Sequence, residues 1–300
     1  MDARYAVRVI RSILRHPINR QHKAAALLRV LRWQLRSRIS SRPVVVDYVN
    51  DSKLLVRRGM SAAVANVYLG ISEYHDMAFI LHTLRPGDVF IDVGANVGTI
   101  SILAALTGAQ VVAFEPVPST FEALRANIAL NRLQSRIQAR RTGVASQCGV
   151  LEFTAEEDST NHVAGGAWPD GPQQTVAAQV TSLDEALAGL AATMLKIDVE
   201  GYETEVLRGA TRTLSSPSLM AVVVELNGAG DRYGCDEQKV HDALLQLQFQ
   251  PFDYDPASRQ LSGLSWETRR RSNILYLRHP VWARERVATA PAFCVFGQRI

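Results

Sequence analysis

Acidic residues are almost missing from the first 42 positions, where Asp2 stands alone against eleven lysines and arginines. Cysteine is scarce too, with only Cys148, Cys235 and Cys294 in 300 residues. They lie far apart and lack the paired spacing of a zinc site. So odd and sparse a set argues against a disulfide framework and fits a reducing, cytoplasmic compartment. No uninterrupted apolar stretch is long enough to span a bilayer; the run around Ile100 to Phe114 is broken by Gly108 and Gln110. Arginines interrupt every apolar core that a secretory signal would need. Internal repeats and low-complexity segments are missing, so neither a solenoid nor a tethering linker is expected.

What is present suffices for one large core. Hydrophobic residues make up 47% of the chain, enough for a single α/β body with an additional arm. The overall charge of +4 hides a division, because the cationic arm leaves the remainder net acidic. In the arm, Ala6, Val9, Ile10 and Ile13 recur at helical spacing, with Arg4, Arg8, Arg11 and Arg15 on another face. Pro17 ends that pattern. A second helix carries Leu27, Leu28, Leu31 and Leu35, with Arg29, Arg32 and Arg36 between them. A helical hairpin packed on the body with a solvated basic rim is one reading. A helix pair lying on anionic lipid, peripheral at the inner membrane face, is the next. The acid-poor, Arg-rich composition also resembles an organelle presequence. The expected division is an arm at 1–42, a lead-in at 43–86 and the main body at 87–300.

Residues 43–70 read as short strands and turns, and 71–84 as a helix ending near Arg85-Pro86-Gly87. The body then alternates as a doubly wound parallel sheet does. Strand 89–93 leads to a helix from Thr99, strand 110–114 and a helix at 119–130. Ser119-x-x-Glu122 matches a capping box, and Phe121, Leu124 and Ile128 form the expected buried stripe. A third strand is expected at 136–141. Next comes an irregular stretch at 156–174, long enough to carry function. Strand 194–199, helix 203–214 and strand 221–226 follow. The tail offers a helix with Val240, Leu244 and Leu247, then strands near 249–254 and 274–277.

The most informative segment joins the first of these strands to its helix. Asp92-x-Gly94-x-Asn96-x-Gly98 follows an apolar strand, and Thr99 opens the helix. The glycines allow backbone conformations and close approaches that a Cβ would block. Free N–H groups at the helix start point back toward a ligand. A dinucleotide site wants a bare glycine-rich string, because a pyrophosphate must sit there. Asp92 would repel that group and welcome a cationic amino-acid tail such as the methionine end of S-adenosylmethionine. Glu115, ending the next strand, suits the two ribose hydroxyls that either cofactor offers.

A second constellation, Leu195-Lys196-Ile197-Asp198-Val199-Glu200-Gly201, closes the fourth strand. Alternation starts Lys196, Asp198 and Glu200 on one side, and a helix beginning beyond Val199 is expected to carry Glu200 over the cleft. Ligands of open α/β sheets bind at the carboxyl ends of strands, so the cluster faces the crevice of the glycine turn. Asp198 suits an acceptor hydroxyl, as base or as orienting acceptor, with Lys196 tuning it. Glu225 and Asn227 end the fifth strand nearby, and His162 lies in the irregular loop; these three are candidate substrate contacts. Asp198, Glu200 and Glu225 could in principle hold magnesium, but with no histidine or further acid at fixed spacing no metal is expected.

On the runs GDVFIDVGANVG (87–98), AFEPVPSTFEALRANIALN (113–131), TSLDEAL (181–187), LKIDVEGYETEVLRGA (195–210) and VVVELN (222–227), the chain resembles the FkbM family of S-adenosylmethionine-dependent methyltransferases. The resemblance implies a class I methyltransferase fold with a seven-stranded sheet whose last strand is antiparallel. It also implies methyl transfer to an oxygen of a sugar, glycan or natural product. Carried over by position, Asp92, Gly94, Asn96, Gly98 and Glu115 fall in the cofactor site, and Lys196, Asp198 and Glu200 at the signature strand end; Thr99, at the helix start, is a further candidate cofactor contact. Other readings are an RNA-directed methyltransferase using the basic arm and a non-catalytic cofactor-binding module on a membrane surface. The RNA reading is the weaker, because no Asn/Asp-Pro-Pro-aromatic run stands at the fourth strand end. A dehydrogenase is weakest of all.

Overall fold

The computed structural model describes residues 3–155, 160–166, 174–269 and 272–300. Helices α1 (Ala3–Arg15) and α2 (Lys23–Ile39) precede a hairpin of β1 (Val44–Asp47) and β2 (Lys53–Val56), then α3 (Ser61–Leu69) and α4 (Tyr74–Thr83). Strand and helix then alternate through β3 (Val89–Val93), α5 (Thr99–Leu106), β4 (Gln110–Phe114), α6 (Pro118–Leu130) and β5 (Ile137–Arg140). Strands β6 (Gly143–Val144), β7 (Gly149–Thr154) and β8 (Thr175–Thr181) make a side sheet in the order β6-β8-β7. The body resumes with α7 (Leu183–Ala186), β9 (Met194–Ile197), α8 (Glu203–Arg208), α9 (Thr211–Ser215), β10 (Ala221–Glu225) and α10 (Glu237–Gln246). It finishes with β11 (Gln250–Asp255), β12 (Gln260–Gly263), β13 (Asn273–Leu277), α11 (Pro280–Ala288) and a hairpin of β14 (Cys294–Val295) and β15 (Gln298–Arg299).

The main sheet runs β12-β11-β13-β10-β9-β3-β4-β5. Strands β5, β4, β3, β9 and β10 are parallel, and β13 inserts antiparallel between β10 and β11. This is the class I methyltransferase arrangement, with an eighth edge strand beyond the expected seven. That strand, β12, is the hairpin partner of β11. Only Leu261 of its four residues is buried, which leaves no alternation to read.

The parallel strands are apolar on both faces because helices cover both. Alternation sends Phe90, Val111, Ala113 and Val223 to a core beneath α4, α5, α6 and α11. It sends Ile91, Val112, Val222 and Val224 to a second core beneath α8 and α10. Phe121, Leu124 and Ile128 of α6 are buried as expected. The expected capping box is not formed. The helix begins one residue earlier, at Pro118, whose ring presets φ for the first turn, and the cap position falls to Val117 without a side-chain bond.

Two further expectations fail for local reasons. Residues 61–69, expected as strand and turn, form α3, closed by Asn66, whose side chain donates to the Ala62 carbonyl and accepts from the Ser72 amide. The single helix expected at 203–214 is broken into α8 and α9 at Gly209. A Cβ there would lie 2.1 Å from the Ala145 carbonyl oxygen, so backbone crosses backbone at that point. Of the irregular stretch at 156–174, positions 156–159 and 167–173 lie outside the described residues. Val163 bridges Phe153 of β7. The three cysteines are free thiols. Among the described residues, no helix is long and apolar enough to cross a membrane.

Candidate active site

The chain turns sharply where β3 ends. Gly94, Asn96 and Gly98 all have left-handed φ, at +82°, +50° and +89°. The Gly94 and Ala95 amides both donate to the Phe114 carbonyl, 3.1 and 2.9 Å away, which ties the turn to the end of β4. Glu115 stands at that end and completes the tie. Its Oε2 accepts from the Asn96 amide at 3.1 Å and its Oε1 from the Val117 amide at 2.9 Å. Burial pushes its carboxyl up to about 7, against the pull of those two amides.

Strand β9 lies beside β3 in register, Lys196 opposite Asp92. Its end passes so close that a Cβ on Gly94 would lie 1.8 Å from the Asp198 carbonyl oxygen. Gly94 is therefore required twice, by its φ and by the crossing of the two motifs. Lys196 is buried, and its Nζ lies 2.7 Å from Asp198 Oδ2. Burial opposes its charge, but Asp198, Glu73 and Asp92 around it raise its pKa. Burial likewise opposes ionisation of Asp198, and Lys196 with a hydrogen bond from Glu225 overcomes it, so Asp198 titrates below the usual carboxylate range. Glu225 is the other half of that bond. Burial, then the charge of Asp198, push its carboxyl up to about 9, so it keeps its proton and donates it to Asp198. Glu200 is half-buried, pushed up to about 7 by burial and then by Asp198, while Asn227 hydrogen-bonds it.

Contrary to the expectation of a helix beginning just beyond Val199, Glu200 is not helical. It sits in the turn before α8 with φ +55°, and the helix starts three residues later. The residue that closes this turn is Glu203, whose Oε1 accepts from the Val199 and Gly201 amides at 3.2 and 3.1 Å.

These elements surround a cavity of about 370 Å³, within the range of small-ligand pockets. Asp92, Gly94, Asn96, Thr99 and Glu115 line it, as do Lys196, Asp198, Glu200 and Glu225. His162 lines it as well and is buried rather than solvated. Its amide donates to Thr154 Oγ1 and its Nδ1 to the Thr160 carbonyl. Two predicted residues stand back. Gly98 packs behind the turn, where a Cβ would lie 2.5 Å from Leu124 Cδ1. Asn227 is exposed on the rim and caps the next turn through the Ala229 amide. The sequence reading missed Glu73, at the start of α4, and Ser61 and Ala65 of α3, which also line the cavity. Glu73 accepts from Asn273 Nδ2 at 2.8 Å and is pushed up to about 7 by burial. No spacing rule could find them, because the chain brings them back from a lead-in far from either motif.

The walls fit S-adenosylmethionine. Asp92 is 1% exposed, its Oδ2 accepts from Ser101 Oγ, and its Oδ1 has no hydrogen-bond partner among the described residues. A buried carboxylate oxygen left so is costly unless a donor arrives, and a cofactor ammonium is such a donor. Each oxygen of Glu115 retains a lone pair for a ribose hydroxyl. Asp198, Glu200 and Glu225 each offer an oxygen within 4.8 Å of the others, close enough for a hard cation. Lys196 Nζ, 2.7 Å from Asp198 Oδ2, stands beside that group as its counter-charge.

Residues 92–253 match the methyltransferase FkbM domain. The chain is 31% identical over 229 residues to the 31-O-demethyl-FK506 methyltransferase FkbM of Streptomyces tacrolimicus, covering 62% of this chain and 86% of that protein. It is 32% identical over 155 residues to the hexuronic acid methyltransferase AglP of Haloferax volcanii, covering 51% of this chain and 61% of that one. A crystal structure of methyltransferase FkbM from Methylobacillus flagellatus KT aligns with a TM-score of 0.42 and 16% identity, over 72% of this chain and 55% of that one. With more than half the chain inside the matched domain, and with the glycine turn and the Lys-Ile-Asp-Val-Glu strand end meeting in one cavity, the chain belongs to the FkbM family of methyltransferases and is an S-adenosylmethionine-dependent enzyme.

Proposed function

We propose that the enzyme methylates a hydroxyl of a saccharide or related natural product. The carrying observation is the placement of Asp198 on the wall of the cofactor cavity, 2.7 Å from Lys196, which with a hydrogen bond to Glu225 holds its carboxyl below the usual carboxylate range. The relatives support the acceptor class, one being named for 31-O-demethyl-FK506 and the other for a hexuronic acid. Asp92, Gly94, Asn96, Thr99 and Glu115 are the proposed cofactor contacts, with Gly98 shaping the turn behind them. When bound, S-adenosylmethionine supplies an electrophilic methyl group on a sulfonium centre.

The chain's own residues do the rest. Asp198 accepts the hydrogen bond of the acceptor hydroxyl and orients its lone pair. Glu200, pushed up to about 7, is the proton acceptor best matched to neutral pH. Lys196 keeps Asp198 ionised. His162 and Glu225, which line the cavity, are the proposed acceptor contacts, with Asn227 at the rim. Positioning the hydroxyl in line with the methyl group is the main source of rate. Because Lys196 already stands 2.7 Å from Asp198 as its counter-charge, the reaction is proposed to need no divalent ion. Chelation should leave transfer unchanged; loss restored by magnesium would overturn that part.

The test is transfer of labelled methyl to a panel of hydroxyl-bearing saccharides and macrolides. Label recovered in a base-stable ether is the expected result. Label found only in protein or nucleic acid would overturn the proposal. Asp198→Asn should lower kcat by at least about 100-fold, while S-adenosylhomocysteine binds as in the wild type. Equal loss of binding would move Asp198 into the cofactor site.

A further inference from the structure

Helix α2 is packed the unusual way round. Its inward side is Ala26 and Trp33, both buried, with Gln34 donating to the Tyr68 hydroxyl at 2.8 Å. Arg29 lies over the Phe296 ring, 3.8 Å from its centre, and bonds Asn19, whose amide donates to the Ile13 and Tyr68 carbonyls. The leucines face away from all of this. Leu27, Leu28, Leu31 and Leu35 are 42 to 55% exposed and Ile39 is 85% exposed. At 3.6 residues per turn these five form one stripe on the order of 100° wide. Exposed Arg32 and Arg36 border it, exposed Arg38 lies at its C-terminal end beside Ile39, and Arg8, Arg11, Arg15 and Arg20 are exposed on and just after α1. Residues 3–42 contain no acidic side chain at all.

We propose that α2 is a docking surface for an anionic phospholipid bilayer, lying in the interface plane with its leucines in the acyl boundary and its arginines among the headgroups. An apolar stripe bordered by cations is what such a surface binds. The charge pattern separates this occupant from the others. A second copy meeting the same face would bring two sets of arginines together with no acid to balance them. A nucleic acid would meet leucines, which cannot stack on bases, while Trp33 is turned inward. The lipid surface is the one partner that satisfies both halves of the stripe. The proposal is independent of the methyl acceptor.

The experiment is co-sedimentation of the full chain with vesicles of phosphatidylcholine alone or mixed with phosphatidylglycerol. Binding is expected only to the mixed vesicles and should weaken with salt. Arg32→Gln should weaken it roughly fivefold, the effect of one cation near such a surface. Leu31→Glu/Leu35→Glu should abolish it while the melting temperature and S-adenosylhomocysteine affinity stay at wild-type values, since both side chains lie on the exposed face of the helix. Equal binding to neutral vesicles, or no binding at low salt, would overturn the proposal. So would a dimer in sedimentation equilibrium that Leu31→Glu/Leu35→Glu splits, because the face would then belong to a second copy.

Discussion

Glu225 is hydrogen-bonded to Asp198 at the end of the neighbouring strand, with their carboxyls shifted in opposite directions, and this pairing is expected to set the enzyme's response to pH. Glu200 must lose its proton, which it does through about 7, and Glu225 must keep its own, which it loses through about 9. Methyl transfer should therefore rise through the first value and fall through the second. Glu225→Gln keeps the hydrogen bond to Asp198 without the titration, so kcat measured against pH should lose its falling limb; a limb that survives would remove Glu225 from this role. Stability follows the same groups with its own sign. Glu115 and Glu203 are raised to about 7 and Glu225 to about 9 by burial, so the folded state holds protons that the unfolded chain has already released. Their contribution is complete below the ordinary carboxylate range and is lost as pH rises through the folded values. Asp198, lowered, acts oppositely and matters only in acid. Melting temperatures of the ligand-free protein should accordingly fall from about 5 to about 9 in pH, and less steeply in Glu225→Gln.

At the scale of elements, the turn after β3 and the end of β9 are one construction, because Gly94 lets Asp198 pass. Gly94→Ala should cost at least about 2 kcal/mol, from the left-handed backbone and from contact with the Asp198 carbonyl. Gly59→Ala isolates the first of these effects, since φ there is +99° and a Cβ would meet nothing within 4 Å. Denaturant unfolding of both variants measures the difference, and equal losses would mean that β9 moves aside freely. Both motifs were legible in the sequence because each is local, a strand, a turn and a helix start within a dozen residues. The crossing between them was not, for it depends on strand order. The side sheet was missed for a different reason. In β7 and β8 only Phe153, Thr154 and Val180 are buried, so the long polar stretch between them dominated the pattern. In α3, Val64, Val67 and Tyr68 read as strand, and only Asn66 bonding backward to Ala62 and forward to Ser72 shows why a helix wins.

Across the whole molecule, the N-terminal helices reach the cavity through one relay. Trp33 of α2 joins the core that also holds Ala63 of α3, and the opposite side of α3 presents Ser61 and Ala65 to the cavity. Tyr48 of the lead-in is buried in the same core, and its hydroxyl donates to the carbonyl of Thr99, the first residue of α5. A segment that resembles an appendage in the sequence is thus continuous with the apolar body through Trp33, and the lead-in that follows it is tied to the cofactor turn through Tyr48. Its leucines could not reveal this, since periodicity marks an apolar stripe without saying which side of the helix the body will take. Trp33→Ala removes the inward anchor and should cost about 3 kcal/mol, the usual penalty for emptying an aromatic site. Because the lost packing underlies α3, S-adenosylhomocysteine affinity should fall along with stability. Leu31→Glu, on the outward side of the same helix, should change neither. Calorimetric titration and thermal unfolding of the two variants give the comparison. Were Trp33→Ala to lose stability with cofactor affinity intact, α3 would hold the cavity wall without help from α2, and the arm would act on the enzyme only through the surface it meets.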